Sequence, residues 1–391
     1  MTITSNTRIQ SIDLLRGVVM VIMALDHVRD YFHADAFLFE PTDLEESNTA
    51  LFFTRFITHF CAPVFVFLAG TSARFVGQRR SKKGLSIWLV KRGLWLVFLE
   101  LTIIKFGWLF QLTPYSYLLQ VIWVLGVGMI FLAAFVHIPR NLMLIISLAF
   151  IFGHNAFDYL NALYPESTLL KLLHMQGPIF LGDFVFFAAY PLIPWIFVMP
   201  LGYHLGGLYV KDYTAAERIK ILRSVGVLLI ILFVVLRGFN IYGDANLWSM
   251  QRSIGLTISS FFNVTKYPPS LLFILITLGP ALVFLSYAEK WQGKFQQALV
   301  TIGRVPLFFY VVHIYLIHVL ALIAAELTGV GAENMLIDLW VTMQPELQGY
   351  GFSLWVVYVI WIIISLGLYP VCKAYWNYKA NNKDKWWLSY L

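Results

Sequence analysis

Apolar and polar positions follow one another along this chain in long blocks. Each apolar block runs for about 20 residues, enough to cross ~30 Å of hydrocarbon as a helix, and each ends in a short polar break. The blocks fall near 12–32, 51–76, 86–108, 118–136, 141–160, 184–208, 219–237, 268–288, 298–322 and 352–372. They predict an all-α, polytopic membrane helix bundle of about ten spans. No repeat recurs at a fixed period and no soluble domain interrupts the series. Residues 1–391 therefore read as one unit, with a tail over 372–391.

The polar breaks differ in charge. Arg79, Arg80, Lys82 and Lys83 fill the break at 77–84. His137 and Arg140, the stretch from Lys211 to Arg223, Lys290 with Lys294, and Lys373, Lys379, Lys383 and Lys385 occupy every second break from there. The alternate breaks are acidic or nearly neutral: 33–50 holds Asp35, Glu40, Asp43, Glu45 and Glu46, and 326–349 holds Glu333, Asp338 and Glu346. Basic loops stay on the cytoplasmic side, so the alternation predicts both termini in the cytoplasm, in an inner (plasma) membrane. Two further segments on the outer side are long, 162–183 and 238–267. The second, with Trp248, Met250, Phe261 and Phe262, reads as an interfacial helix or re-entrant lid.

Composition agrees. Of 391 residues 59% are apolar and 13% charged, whereas a soluble domain needs roughly a quarter charged. The net charge of +7 lies in short loops, where it sets orientation and gives no reason to expect nucleic acid. The first apolar run already carries Asp13 and Arg16 and has no small-residue cleavage site, so it is expected to remain as a helix. Cys61 and Cys372 fall near opposite membrane faces, which predicts no disulfide.

Charged side chains inside spans are costly and mark function by default. Asp13, Arg16, Met20, Met23 and His27 recur at three- and four-residue steps on the first span. Arg16 and His27 share one helix face, about 16 Å apart along the axis. Asp26, His27, Arg29, Asp30 and His33 gather at its outer end. A nearby Asp can orient an imidazole as a general base needs, and the same residues can equally form salt bridges that end the helix. Arg55 and His59 lie four apart on the second span and are candidates for the substrate side. Glu100 and Lys105 each need a partner on another helix. His154 and Asp158 form another pair four residues apart. His313 and His318, five apart, point in different directions and cannot chelate one metal together. No metal-binding motif appears, and no metal is expected. Arg16, Arg74, Arg92 and Arg304 come from four helices that could converge on phosphate at the cytoplasmic end, where lipid headgroups are the ordinary partner.

Three groups of residues carry a resemblance: Ser11-Ile-Asp-Leu-Leu-Arg-Gly17 with Asp26-His27, then Ala62-Pro-Val-Phe-Val-Phe-Leu-Ala-Gly-Thr-Ser72, then Tyr267-Pro-Pro-Ser-Leu271 with Gly279-Pro280 and Gly303-Arg-Val-Pro-Leu-Phe-Phe-Tyr310 with His313. From about Arg8 to Val371 the chain resembles bacterial relatives of the heparan-alpha-glucosaminide N-acetyltransferase catalytic domain, within a wider group of transmembrane acyltransferases. The resemblance implies transfer of an acetyl group from cytosolic acetyl-CoA, or another acyl-CoA, to a sugar or glycan acceptor at the other face. In the wider group an Arg-x10-His pattern marks the catalytic histidine, and Arg16 to His27 fits it. In the animal enzyme that histidine lies slightly later, where His33 is the nearest match. The Trp-Asn-Gly stretch that precedes the animal enzyme's second helix is absent here.

These readings combine into one expectation. The donor's phosphates meet Arg16 and Arg304, with Arg74, Arg92 and His313 as further cofactor-binding candidates. The thioester reaches His27 or His33, with Asp26 and Asp30 in support. The chain's partners are then the lipid bilayer, acyl-CoA and the acceptor, with a homodimer also possible. The rival expectation is a carrier or channel that uses the same His, Asp and Arg as a substrate or proton path. A third is an assembly subunit in which they only join helices.

Overall fold

The computed structural model describes residues 9–113, 115–210 and 213–389. Arg8, where the resemblance begins, Lys211 and the last two residues of the tail lie outside the described residues. The described chain is mostly helical. Helix α1 spans Gln10–Phe32. The second predicted span is a broken helix, α2 over Thr49–Thr58 and α3 over Cys61–Gly77. Its break at His59 and Phe60 precedes Pro63 in the first turn of α3, the helix position that best accommodates a proline ring.

The chain continues through α4 (Lys82–Leu99), a short π-helical stretch (Glu100–Ile104) and α5 (Lys105–Leu109). Next come α6 (Val121–Phe135), α7 (Arg140–Gly153), α8 (Phe157–Leu163) and α9 (Thr168–Leu173). The later helices are α10 (Trp195–Leu205), α11 (Ala215–Gly238), α12 (Ile254–Phe262) and α13 (Leu271–Ala288). They are followed by α14 (Lys294–Gly303), α15 (Pro306–Leu327) and α16 (Leu354–Asn381).

Among the described residues six helices or helix pairs are long and apolar enough to cross a membrane: Thr49–Gly77, Arg140–Leu163, Ala215–Gly238, Leu271–Ala288, Pro306–Leu327 and Leu354–Asn381. With 23 residues α1 is long enough, but it carries Asp13, Arg16, Asp26, Arg29 and Asp30. It is nonetheless buried along most of its length, packed between α3, α13, α14, α15 and α16.

The structure departs from the sequence reading in four further places. A three-stranded sheet joins β1 (Ser116–Leu119), β2 (Gly177–Leu181) and β3 (Phe184–Ala188) in the order β1-β3-β2, so the fold is not purely helical. The predicted span at 184–208 therefore opens as a strand; Pro191 and Pro194 delay the helix until Trp195, because proline cannot continue a helical hydrogen-bond ladder. The predicted span at 298–322 is divided at Arg304 and Val305, and α15 starts with Pro306 in its first turn, a position proline favours. Finally α16 runs to Asn381, so much of the predicted tail is helix.

Close backbone approach holds α1 in place. A side chain at Gly17 would collide with the Leu299 carbonyl, and one at Gly303 with that of Asp13. Glycine at both crossings lets α1 and α14 meet backbone to backbone, the usual device of membrane helix pairs.

Candidate active site

A cavity of about 630 Å³ lies at the end of the bundle where α1 terminates. Asp26, His27, Arg29 and Asp30 from α1 line it, with Arg55 and His59 from the second helix pair, Trp108 from α5 and Tyr310 from α15. Lys266, Tyr267 and Tyr190 come from the loops preceding α13 and α10. Its inner limit is set by Met23, Cys61, Ala62 and Phe65. Below Met23 on α1, Val19 and Met20 are buried.

His27 Nδ1 is 2.7 Å from His313 Nε2. His313 Nδ1 is in turn 3.0 Å from the Phe309 carbonyl oxygen. A carbonyl only accepts, so His313 carries its proton on Nδ1 and offers a lone pair at Nε2. His27 must then donate from Nδ1, which leaves its Nε2 as the lone pair of a neutral imidazole. The assignment follows from the hydrogen-bond network. Trp108 packs edge-on against the His27 ring at 4.7 Å, and the Trp108 indole N–H donates to the Tyr310 hydroxyl. The hydrogen-bond partner of His27 is thus His313 rather than a carboxylate, and His313 lies beside His27 rather than with the arginines at the other end.

The acids of α1 are engaged elsewhere. Asp26 accepts from Arg55 at 2.5 Å and is ion-paired with Arg29 at 3.0 Å, and Arg29 also pairs with Asp30. Four charges are thereby buried as one alternating network, each beside an opposite charge, as burial demands. The salt-bridge reading of Asp26, Arg29 and Asp30 is the one their geometry fits. His33 is buried just past the helix, where its backbone bridges Phe352; it does not line the cavity. His59 does line it, tilted against Phe273.

The loop wall is fixed by two residues the sequence reading did not single out. Asp244 accepts from Thr265 N–H at 2.8 Å, the Thr265 hydroxyl at 2.8 Å and the Ser270 hydroxyl at 2.7 Å, holding Lys266 and Tyr267 at the cavity. Arg237, fully buried at the end of α11, donates to the carbonyls of Asn246, Ser260, Phe261 and Asn263. The segment at 238–267, with α12 inside it, is therefore fastened from within. A buried arginine at the end of an apolar run was the available signal, because its donors must find acceptors nearby.

At the opposite end of α1, Arg16 donates to Asp13 at 3.1 Å, the Gly303 carbonyl at 3.2 Å and the Ser72 hydroxyl at 3.0 Å. Arg304 approaches Asp13 at 3.7 Å and lies over the Trp376 ring. Both arginines reach Asp13. Arg74 instead lies over Tyr203, and Arg92 over Trp88 of its own helix.

Comparison with known families now becomes decisive. The family described as heparan-alpha-glucosaminide N-acetyltransferase, catalytic, matches residues 8–242, more than half of the chain. The chain belongs to that family. None of the curated proteins matches it. Membership makes this a protein of a transmembrane acetyltransferase family, with an acetyl-CoA type co-substrate. The family match takes in α1 and its histidine, the Arg55 and His59 pair, Trp108 and Arg237; Tyr267, Arg304, Tyr310 and His313 lie beyond it.

Other buried polar groups on the helices find partners within the protein. Glu100 accepts from the Trp123 N–H at 2.9 Å, so the partner it needed is the N-terminus of α6, whose first N–H groups have no partner within the helix. His154 bonds His174 at 2.9 Å rather than Asp158, which bonds Asn155. His318 faces the Gly107 and Met335 carbonyls. Both cysteines are free and buried. Among the described residues no three His, Cys, Asp or Glu side chains gather as a metal site.

Proposed function

We propose that this chain is an acyl-CoA-dependent transmembrane O- or N-acetyltransferase, with the cavity receiving a sugar or glycan acceptor and His27 as its general base. The observation that carries the reading is the bond between His27 Nδ1 and His313 Nε2, which leaves Nε2 as the lone pair of a histidine that lines a cavity large enough for a sugar. His27 takes the proton from the acceptor's hydroxyl or amine as that atom attacks the thioester carbonyl. The carbon–sulfur bond breaks, the acetyl group passes to the acceptor, and the proton on His27 is available to the departing CoA thiolate. His313 fixes the tautomer, and Asp26, Arg55 and Arg29 give the cavity a polar wall suited to hydroxyl groups.

The topology proposed with it has about ten spans and both termini in the cytoplasm of a cell with this inner membrane. Arg16 and Arg304 then face the cytosolic donor, with Arg74 and Arg92 as further candidates on α3 and α4. The layer of Met20 and Met23 is the natural passage for the acetyl-bearing arm, since unbranched methionines adapt their shape readily. Acetyl transfer from labelled acetyl-CoA by the purified protein, compared with His27→Ala and His33→Ala, tests the assignment. Loss with His27→Ala and retention with His33→Ala is the expected result. Full activity in the His27 variant sinks the proposal.

A further inference from the structure

A second cavity, of about 620 Å³, opens at the basic end of the bundle, between the start of α4 and the chain after α16. Five cations line it: Arg80 and Lys91 from α4 and the turn before it, Lys379 near the end of α16, and Lys383 and Lys385 beyond. Trp88 and Trp386 line it as well, and no Asp or Glu is among its described lining residues. Asp384 lies between two of the lysines in sequence but is not part of the lining.

The cavity is built by the tail folding back. Asn382 donates to the Tyr378 carbonyl at 2.8 Å, and Lys385 reaches the Tyr378 hydroxyl at 2.6 Å. This turn brings the lysines of the tail up to Arg80 and Lys91, although like charges so close repel one another over roughly a Debye length, ~8 Å in physiological salt. Ile87 and Trp386 are exposed beside them, so apolar surface, indole rings and cations share one level. That is the composition of a membrane interface facing anionic groups.

We propose that this cavity binds a phosphate-bearing ligand, held by Arg80, Lys91, Lys379 and Lys383 with a tryptophan beside it. Phosphate oxygens accept several charge-assisted hydrogen bonds at once and convert the repulsion among these cations into attraction. Two sources carry that chemistry: the headgroup of an anionic lipid and an adenine nucleotide phosphate. The site does not depend on the acetyl-transfer reading, since it lies at the far end of the bundle from His27.

The test uses the full chain and a triple variant, Arg80→Gln, Lys91→Gln and Lys383→Gln. All three residues are exposed, and an unchanged thermal midpoint in neutral detergent verifies that the variant is folded. Two probes are measured: retention of phosphatidylglycerol over phosphatidylcholine by native mass spectrometry, and binding of 3′,5′-ADP by calorimetry. The wild type is expected to bind at least one probe, and the variant to bind it tenfold or more weakly. Selective loss of the lipid assigns the headgroup, and selective loss of the nucleotide assigns the nucleotide. A wild type that binds neither, or a variant that binds both unchanged, overturns the proposal. His27→Ala should bind both probes normally, so failure of this site and failure of the catalytic assignment are read separately.

Discussion

His27 and His313 share a hydrogen bond of 2.7 Å between Nδ1 of the first and Nε2 of the second, across helices otherwise far apart in sequence. Because the Phe309 carbonyl fixes the proton on His313, the pair is directional. Removing the base, His27→Ala, should lower acetyl transfer by about 10²- to 10⁴-fold. His313→Phe keeps the volume but removes the acceptor, and should reduce kcat by a smaller factor with little change in KM for the acceptor. A His313→Phe variant as active as wild type would remove His313 from the mechanism.

The network of Arg55, Asp26, Arg29 and Asp30 is a folding element as well as a wall of the cavity. Asp26→Asn takes from Arg55 its carboxylate and leaves Arg29 with Asp30 alone, and breaking a buried pair in this way costs roughly 3–5 kcal/mol. The thermal midpoint in detergent should fall clearly. Asp26→Asn combined with Arg55→Gln should recover part of that loss, and a double variant worse than the sum of its singles would show that the two residues do not act as a pair.

Glu100 tests whether a buried carboxylate in a membrane helix must be catalytic. Its role as a cap for α6 predicts that Glu100→Gln, which keeps an acceptor, leaves activity near wild type. Glu100→Ala strands backbone donors at a cost of about 1–3 kcal/mol. Near-complete loss of acetyl transfer in a folded Glu100→Gln protein would give this residue a chemical role instead.

His174, in the segment after α9, supplies a pH signature unrelated to the proposed catalysis. Burial pushes the His174 imidazole down to about 4, whereas in the unfolded chain it titrates near 6.5. The native state therefore binds fewer protons than the unfolded one between those values. The stability it contributes is complete above about pH 6.5 and is lost as pH falls toward 4. Thermal midpoints at pH 5 and pH 7.5 should differ less in His174→Gln than in wild type. Equal differences would show that another group governs the acid side.

Much of this arrangement is legible in the residues alone. Apolar block lengths mark the helices, and the spacing from Arg16 to His27 places two polar ends on one helix. The breaks at His59 and at Arg304 were not legible as breaks, since apolar content runs straight through them and only Pro63 and Pro306 mark the places. The strands of 116–119 and 184–188 were absorbed into helical blocks because Phe, Val, Leu and Tyr suit both structures when the run is short. At the site, His27, Asp26, Arg55 and His59 could be nominated because charge inside a span is conspicuous. Trp108 and Tyr310 could not, because an aromatic residue in an apolar run says nothing about what it faces. The partner of His27 was hidden for a different reason: no local spacing connects position 27 with position 313.

Arg16 is tied to Ser72 and Gly303, glycine contacts seat α1 against α14, and Arg55 grips Asp26 near the other end. A rod clamped at both ends does not swing. On the proposed topology the first helix acts as a fixed ruler, and the gap between the proposed donor and acceptor has to be closed by the length of the molecules that bind. A donor shortened at its pantetheine arm should therefore fail to react even when its phosphates are held firmly.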